Sequence, residues 1–306
     1  MKLLLVQVRY GIGDIILAGL PYIHALSKKF NSKISLLIKD SSRASDLFAD
    51  DDHVDEIITL KNDMDGVRGI FKLTRELKKR NFDKIFIFNS SLRYNLVARL
   101  AGIKSIYQYP LFRTKDNIIN SCKIFTESIT NQVVSTEPNL IIKETNNNLE
   151  KSFSILLGLS ASGQTKRWAI ENYIRLAEEI SKRIKCKFYL AGGKNDTDLI
   201  NRFKNSVAGK NSISFEKMSI KETLPIIKNC NLYIGNDTGW GHIAVALKIK
   251  ALMIFCDSPL VYSSYSKLIT TVEPEGVEKG KTTHDTKGKD YVSYHKVLSE
   301  SLKLIN

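Results

Sequence analysis

The chain has 306 residues, 43% of them hydrophobic and 25% charged, with a formal net charge of +14 at pH 7. These values are typical of a soluble globular protein with room for two domains. The apolar run after Met1 is too short for a signal peptide, and no later run approaches the ~20 residues of a membrane-spanning helix. We therefore expect a cytoplasmic protein. Its basic excess favours anionic partners, namely phosphates or an acidic glycolipid surface, over nucleic acid, for which no motif is present.

The cysteines and histidines show no metal-ligand spacing. The chain has four cysteines and five histidines, and none of them form a cluster typical of a metal site. We expect reduced thiols and no bound metal.

Segments with the patterns of strands and helices alternate along most of the chain. In residues 1–110 the predicted strands are 2–8, 33–38, 54–60, 84–88 and 105–109, and the predicted helices are 15–30, 43–48, 67–80 and 93–101. Residues 143–151 are polar and asparagine-rich, as in a linker. The later strands are 153–158, 187–191, 213–215, 232–234 and 251–255, and the later helices are 171–184, 197–204, 220–228, 243–247 and 292–305.

This alternation predicts an α/β protein with two parallel sheets, each covered on both faces. We place an N-terminal domain at 1–147, a C-terminal domain at 148–290, and a final helix at 291–306 that packs back on the N-terminal domain. Ligands of such sheets bind beyond the carboxyl ends of the strands, so two facing sheets predict a central cleft.

The most informative segment runs from Gly235 to His242. It follows an apolar strand and opens a helix, with Asp237, Thr238 and Gly239 at the turn. Free amides at a helix start attract anions, and glycine lets a ligand approach the main chain. An ordinary capped helix, with Asp237 or Thr238 as its N-cap, remains an equal alternative.

The first strand ends in Gly11-Ile12-Gly13-Asp14, which is half of a dinucleotide-binding fingerprint. The third glycine would fall at Ile16, which disfavours a nicotinamide or flavin dehydrogenase. Asp14 either caps the helix or acts as a general base. Pro21 lies inside the predicted helix 15–30 and should distort it locally.

Three further loops follow strands of the second half. Residues 160–168 contain Lys166 and Arg167, which suit a diphosphate or form an exposed basic turn. Gly192-Gly193 is typical of a turn, or of a backbone wall beside a nucleotide. Met218 precedes Ser219 and Glu222, which have the spacing of a capping box.

Together these segments resemble the ADP-heptose lipopolysaccharide heptosyltransferases, which are inverting glycosyltransferases of family 9 with two Rossmann-like domains (the GT-B architecture). The resemblance is carried, in chain order, by Gly13-Asp14 with Pro21, Lys166-Arg167-Trp168, Gly192-Gly193, Met218-Ser219 and Asp237-Thr238-Gly239 with His242. Trp240, Gly241 and Ala169 depart from the residues common in the family, which leaves the donor sugar open.

The resemblance implies a role for each motif. Asp14 is similar to the general base, and Lys166 to the residue that neutralises the donor diphosphate. The remaining donor-binding residues that it implies are Gly13, Gly192, Met218, Asp237, Thr238, Gly239 and His242. It also implies an ADP-linked sugar donor, no metal or other cofactor, and an anionic glycolipid acceptor. We expect any contact with the inner membrane to be peripheral and electrostatic.

Acceptor contacts are expected at Ser91, Arg93 and Arg113, because these residues follow strands of the first half or add positive charge. The sequence thus predicts transfer of heptose or a related sugar to a lipopolysaccharide core or other surface glycan. Two alternatives stay open at this point: a nucleotide-sugar epimerase or dehydrogenase, and a catalytically silent nucleotide-binding protein.

Overall fold

A computed structural model describes residues 1–9, 11–110, 117–143 and 152–305. The chain divides into two compact units, Met1–Ile141 and Ile142–Asn306. This division lies six residues before the boundary that the sequence predicts. None of the described helices is long and apolar enough to cross a membrane.

The first unit is built on a parallel sheet of five strands in the order β3-β2-β1-β4-β5. Every residue of β1 and β2 is buried, which is the pattern of central strands covered on both faces. The elements are β1 Leu3–Gln7, α1 Ile12–Ala18, α2 Leu20–Phe30, β2 Ile34–Ile38, α3 Ala44–Leu47, β3 Val54–Thr59, α4 Ile70–Arg80, β4 Lys84–Ile87, α5 Leu92–Leu100, β5 Ser105–Gln108 and α6 Ile118–Thr130.

The second unit is built on a parallel sheet of six strands in the order β11-β10-β9-β6-β7-β8. Its elements are β6 Phe153–Gly158, α7 Ile170–Ser181, β7 Cys186–Ala191, α8 Thr197–Lys204, β8 Ile213–Ser214, α9 Ile220–Lys228, β9 Leu232–Asn236, α10 Gly239–Ala246, β10 Lys250–Ile254, β11 Ile269–Val272 and α11 Tyr294–Ile305. Buried residues of α7 and α11 share one core cluster with β6, β9 and β10. The predicted packing of residues 291–306 on the first unit stays a prediction.

The expectation of two covered parallel sheets is confirmed, with differences at a few elements. The predicted helix 15–30 is two helices that separate at Gly19, and Pro21 lies in the first turn of the second. A Cβ at Gly19 would approach the Ile15 carbonyl oxygen to 2.5 Å, so this junction needs glycine. Helix α10 begins at Gly239 rather than residue 243, and neither α6 nor β11 was predicted.

All four cysteines are free thiols, as the sequence predicts, and Cys122, Cys230 and Cys256 are buried. Burial raises the pKa of the Cys122 and Cys230 thiols to about 12, so both are protonated and unreactive at neutral pH.

A buried polar cluster joins α2 to the loop between β2 and β3. His24 Nε2 lies 2.7 Å from Asp51 Oδ2, and the ring of His53 lies 4.5 Å from that of His24. His53 Nδ1 is also 2.9 Å from Ser27 Oγ, and its backbone amide donates to Asp51 Oδ1. Two side-chain contacts, His24 with Asp51 and Ser27 with His53, therefore link the two elements.

Burial lowers the pKa of His53, and the neighbouring His24 lowers it further. Burial opposes ionisation of Asp51, but the hydrogen bond and charge of His24 outweigh it and hold the Asp51 pKa below its usual range. The unfolded chain therefore binds protons on both groups before the folded chain does. Both contributions favour the fold at neutral pH and are lost in acid.

We expect the stability of the first unit to fall as the pH drops below about 6.5, the unperturbed pKa of histidine, and again below about 4, that of aspartate. His53→Gln removes the first titration and should flatten the dependence between about pH 6.5 and 5. Urea unfolding followed across this range measures it, with the distant His295→Gln as control. Equal slopes in the wild type and His53→Gln would contradict the assignment.

Candidate active site

The loops singled out in the second half all lie at one edge of its sheet. Strands β9, β6, β7 and β8 are consecutive neighbours, and every pair is parallel. In this register Gly158 lies beside both Ala191 and Gly235. The structure therefore brings together the carboxyl ends that carry Lys166, Gly192, Met218 and Asp237.

Thr238 is the N-cap of α10, but its side chain does not cap the helix. Its Oγ1 lies 3.3 Å from the hydroxyl of Tyr233, which itself donates to the Asn236 carbonyl at 2.8 Å. The amides of Gly239 and Trp240 belong to the first helical turn, where no carbonyl of the helix accepts them. The positive end of α10 thus presents backbone donors and a hydroxyl to an anion.

Asp237 and His242 form a second feature of the same turn. His242 Nδ1 lies 2.7 Å from the Tyr265 hydroxyl, and its Nε2 lies 3.3 Å from Asp237 Oδ1. The latter contact has ion-pair distance but not hydrogen-bond geometry, so Asp237 Oδ1 is buried without a hydrogen bond. Buried carboxylate oxygens normally accept a hydrogen bond, and a sugar hydroxyl would be a suitable donor to this one.

Asn236 joins the two loops that frame this edge. Its side chain is fully buried, and Nδ2 donates to the carbonyls of Gly158, Leu159 and Ser160 at 3.1–3.3 Å. Its Oδ1 accepts the amide of Trp168 at 3.0 Å. Both ends of the loop that carries Lys166 are thereby fixed to the end of β9.

Tyr233 packs beneath this junction in a space that glycines create. A Cβ at Gly158 would lie 2.0 Å from the Tyr233 hydroxyl, and one at Gly241 would lie 2.9 Å from the ring. At Gly235 a Cβ would lie 2.5 Å from Gly158 Cα. These glycines are required by packing, which accounts for Gly241 without any contact to a ligand.

Lys166 is half-buried at the end of a short 3-10 helix in the 159–168 loop. Asp257 lies near it. Burial opposes ionisation of Asp257, but hydrogen bonds from the Thr165 hydroxyl and the Lys287 amide, with the charge of Lys166, hold its pKa below the usual range. The neighbouring Arg167 lies 3.8 Å from Asp196, whose other oxygen accepts the Gly193 amide. Lys166 is therefore the cation of this loop that we expect to meet a phosphate.

The loop after β8 is built as a capped turn. Ser219 Oγ accepts the Glu222 amide, and the Glu222 carboxylate accepts the Ser219 amide at 2.7 Å, which confirms the capping box. Met218 is half-buried just before it. Glu216 Oε2 is buried without a hydrogen-bond partner and is an acceptor at the same strand end.

In the first unit, Gly13 and Asp14 lie in the first turn of α1. Asp14 Oδ2 accepts the Gly11 amide at 3.1 Å, so the carboxylate does cap the helix, as one of the two sequence interpretations predicts. A helix cap uses one oxygen and leaves the other able to accept a proton. The role of general base stays a prediction.

The predicted acceptor residues differ in their surroundings. Ser91 is the exposed N-cap of α5. Arg93 donates to Asp65 and to the Met64 carbonyl and stacks on Tyr94, so its guanidinium already has internal partners. Arg113 lies outside the described residues. All three acceptor contacts stay predictions.

Sequence reasoning did not single out Asn236, Tyr265 or Asp257. Asn236 stands inside the motif that attracted attention, but the groups it binds lie 68 to 78 positions earlier in the chain. Tyr265 and Asp257 follow β10 at the same sheet edge. Their position after a strand was the one sequence feature that could have marked them as site residues. No group of three or more metal-ligating side chains occurs within the described ranges.

We expect Asn236→Asp to loosen the 159–168 loop. The substitution keeps the acceptor for Trp168 but sets a carboxylate oxygen against three carbonyl oxygens. Each buried group left unsatisfied costs about 1–3 kcal/mol. Urea unfolding should show lower stability, and trypsin should cut faster after Lys166 and Arg167. The exposed Asn201→Asp on α8 is the control, and unchanged cleavage at the loop would contradict the role of Asn236.

The chain is similar to known glycosyltransferases. Residues 118–290, more than half of the chain, match the family model "Glycosyltransferase family 9 (heptosyltransferase)". A lipooligosaccharide heptosyltransferase 2 of Campylobacter jejuni is 23% identical over 256 residues, 80% of this chain and 78% of the relative.

Solved structures share the fold at low sequence identity. ADP-heptose lipopolysaccharide heptosyltransferase II of Escherichia coli matches with a TM-score of 0.76 at 18% identity. The match covers 100% of this chain and 98% of the Escherichia coli chain. Escherichia coli heptosyltransferase WaaC, solved with ADP, matches with a TM-score of 0.71 at 12% identity over 99% of this chain and 100% of its own. The two parallel α/β units thus have the GT-B fold, and the chain belongs to glycosyltransferase family 9, the heptosyltransferases.

Proposed function

We propose that this glycosyltransferase moves heptose, or a related sugar, from an ADP-linked donor to a lipopolysaccharide core or other surface glycan, with inversion at the anomeric carbon. The observation that supports it best is the junction at Asn236. It holds the Lys166 loop against the start of α10, so that a lysine, backbone amides and the Thr238 hydroxyl converge at one sheet edge.

This convergence suits the leaving group of the reaction. When the bond between the anomeric carbon and the diphosphate breaks, negative charge builds on the phosphate oxygens. Lys166 and the α10 amides stabilise that charge, and aimed donors of this kind are worth about 2.7–4 kcal/mol each in comparable sites. Charge stabilised in this way needs no metal, in line with the expectation of a metal-independent enzyme.

The remaining donor contacts follow the order of the strands. Strands β9 and β8 are separated by two neighbours, a distance of roughly 14 Å at ~4.8 Å per strand, which is comparable to a nucleoside diphosphate. The phosphates then lie at Thr238 and Gly239, the ribose passes Gly192, and the base reaches Met218. The Glu216 oxygen that lacks a hydrogen-bond partner would accept a hydrogen bond from the amino group of adenine.

At the sugar end, Asp237 and His242 face the hydroxyl groups of the donor. Asp237 Oδ1 accepts one of these hydroxyls, and Tyr265 fixes the orientation of the His242 ring. An acceptor hydroxyl then attacks the anomeric carbon from the face opposite the diphosphate. A new carbon–oxygen bond forms, ADP departs, and Asp14 takes the hydroxyl proton. Attack from the opposite face inverts the configuration.

The acceptor is a lipid-linked, anionic glycan, and Ser91, Arg93 and Arg113 are the proposed contacts. The enzyme works in the cytoplasm, in peripheral contact with the inner membrane.

The direct test is to incubate the protein with ADP-heptose and a lipid A–Kdo acceptor, and to determine the anomeric configuration of the product by NMR. Release of no ADP across a panel of sugar donors and acceptors would refute the proposal.

Lys166→Ala should weaken the binding of ADP about 10- to 100-fold, since a hydrogen bond to a charged group contributes about 1.5–3 kcal/mol. Adenosine, which lacks phosphates, should bind both proteins equally. Isothermal titration calorimetry measures both affinities. The exposed Lys210→Ala removes the same charge elsewhere in the second unit and should leave ADP binding unchanged. Equal ADP affinity in wild type and Lys166→Ala would remove Lys166 from the site.

Asp14→Asn should lower turnover about 10²- to 10⁴-fold, the usual contribution of a general base, while ADP affinity stays the same. Asparagine retains an oxygen that can accept the Gly11 amide, so the helix cap is kept and only the basicity is lost. Initial-rate assays with saturating donor test this. Asp46→Asn, in the first turn of α3, is the control. Full activity in Asp14→Asn would exclude this residue as the base.

A further inference from the structure

Helices α4 and α5 pack on the same face of the first sheet. Leu73 and Leu77 of α4 share one buried cluster with Tyr94, Val97 and Ala98 of α5. The opposite sides of both helices therefore point away from the sheet and form one continuous surface. We call this surface, with the residues just before α4, the α4–α5 face.

The α4–α5 face exposes large apolar side chains. Phe71 is 79% exposed and Leu92 is 64% exposed. Leu92, Leu96 and Leu100 are spaced four residues apart, so they form one stripe along α5. The exposed apolar residues of the face are Val67, Phe71, Leu92, Leu96 and Leu100. A helix that packs on a sheet normally turns polar residues outward, so an apolar outer stripe indicates an interaction surface.

The same face is strongly basic. Residues 66–81 and 89–104 together contain nine basic residues and one acidic residue, Glu76, which is paired with Arg80. Lys72 also has a partner, Asp63. The exposed cations of the face are Arg68, Arg75, Lys78, Lys79, Arg99 and Lys104. The apolar stripe is therefore bordered by positive charge that acidic neighbours do not neutralise.

We propose that the α4–α5 face docks on an anionic lipid bilayer. Apolar side chains ringed by lysine and arginine are the features of a helix that lies in a membrane interface, where the apolar groups enter the acyl boundary and the cations meet anionic headgroups. Anionic headgroups match the cations spread over the face, and the acyl boundary beneath them matches the apolar stripe, so a bilayer meets both features. This proposal rests on the proposed function in that it gives the enzyme access to a lipid-linked acceptor.

The test is co-sedimentation of the full chain with sucrose-loaded vesicles. Vesicles of phosphatidylglycerol and phosphatidylcholine should bind the protein, and phosphatidylcholine alone should bind it at least tenfold more weakly. Binding should fall steeply with salt, because counterions screen the cations. The double substitution Phe71→Ser/Leu96→Ser should weaken binding at least tenfold at constant charge. The control Val133→Ser/Val207→Ser removes two other exposed apolar residues and should leave binding unchanged.

Insertion gives a second, independent signal. A tryptophan placed by Phe71→Trp should be quenched by brominated acyl chains, whereas one placed by Val207→Trp should not. Either absence of quenching at position 71 or equal binding of the Phe71→Ser/Leu96→Ser variant overturns the proposal. So would sedimentation equilibrium that shows a dimer lost in the double variant, or DNA binding as strong as vesicle binding, because the face would then serve another partner.

Failure of this proposal and failure of the proposed function can be told apart. Vesicle binding requires neither donor nor acceptor, so it is measured whether or not the protein transfers sugar. If transfer occurs, Phe71→Ser/Leu96→Ser should keep the wild-type rate on a water-soluble, delipidated acceptor and lose at least fivefold on an acceptor embedded in vesicles. An equal loss of rate on both acceptors would contradict docking, whereas the proposed transferase function would still stand, because the wild type transfers sugar.

Discussion

The second unit depends on one buried amide. Both side-chain polar atoms of Asn236 bind main-chain groups: its nitrogen donates to three carbonyls and its oxygen accepts one amide. An amide side chain can do this because it carries a donor and an acceptor on the same carbon. The loop that carries Lys166 follows a different strand from the Asp237–Thr238 turn. Without Asn236 the two would be independent surface loops, whereas with it they form one rigid surface, as a preorganised charge-stabilising site requires.

The sheets could be predicted from sequence because buried parallel strands are short, mostly apolar runs. Strands β1, β2 and β9 follow that pattern, with Gln7, Ser35 and Asn236 as their polar residues. The edge strand β11 was not predicted. Only Val272 of this strand is buried and the other three residues are half-buried, so it lacks the apolar run of the central strands. Helix α6 was also missed. It packs against α2, and the Tyr22 hydroxyl donates to the Ile119 carbonyl, a contact between residues 97 positions apart that the sequence does not show.

The site was predictable as a set of loops but not as a set of contacts. Motif order placed Lys166, Met218 and Asp237 at strand ends, and parallel topology then required those ends to share an edge. The internal partners of these residues were beyond reach. No sequence feature near Arg93 predicts its hydrogen bond to Asp65, which lies 28 positions earlier. The Asp14 carboxylate suits a helix cap and a general base equally well. Residue type limits the roles that a side chain can take. The partners that the fold gives that side chain determine which of these roles remains available to it.

Our two proposals give the high positive charge of the chain two different physical uses. Lys166 is half-buried and shares its surroundings with Asp257, so salt screens its attraction for a phosphate only weakly. The cations of the α4–α5 face are exposed and act over a broad surface, where the Debye length at physiological salt is about 8 Å. Each contributes little alone, so the proposed contact with a bilayer depends on their number together with the apolar stripe. Total charge therefore says little about binding until the burial of each cation is known.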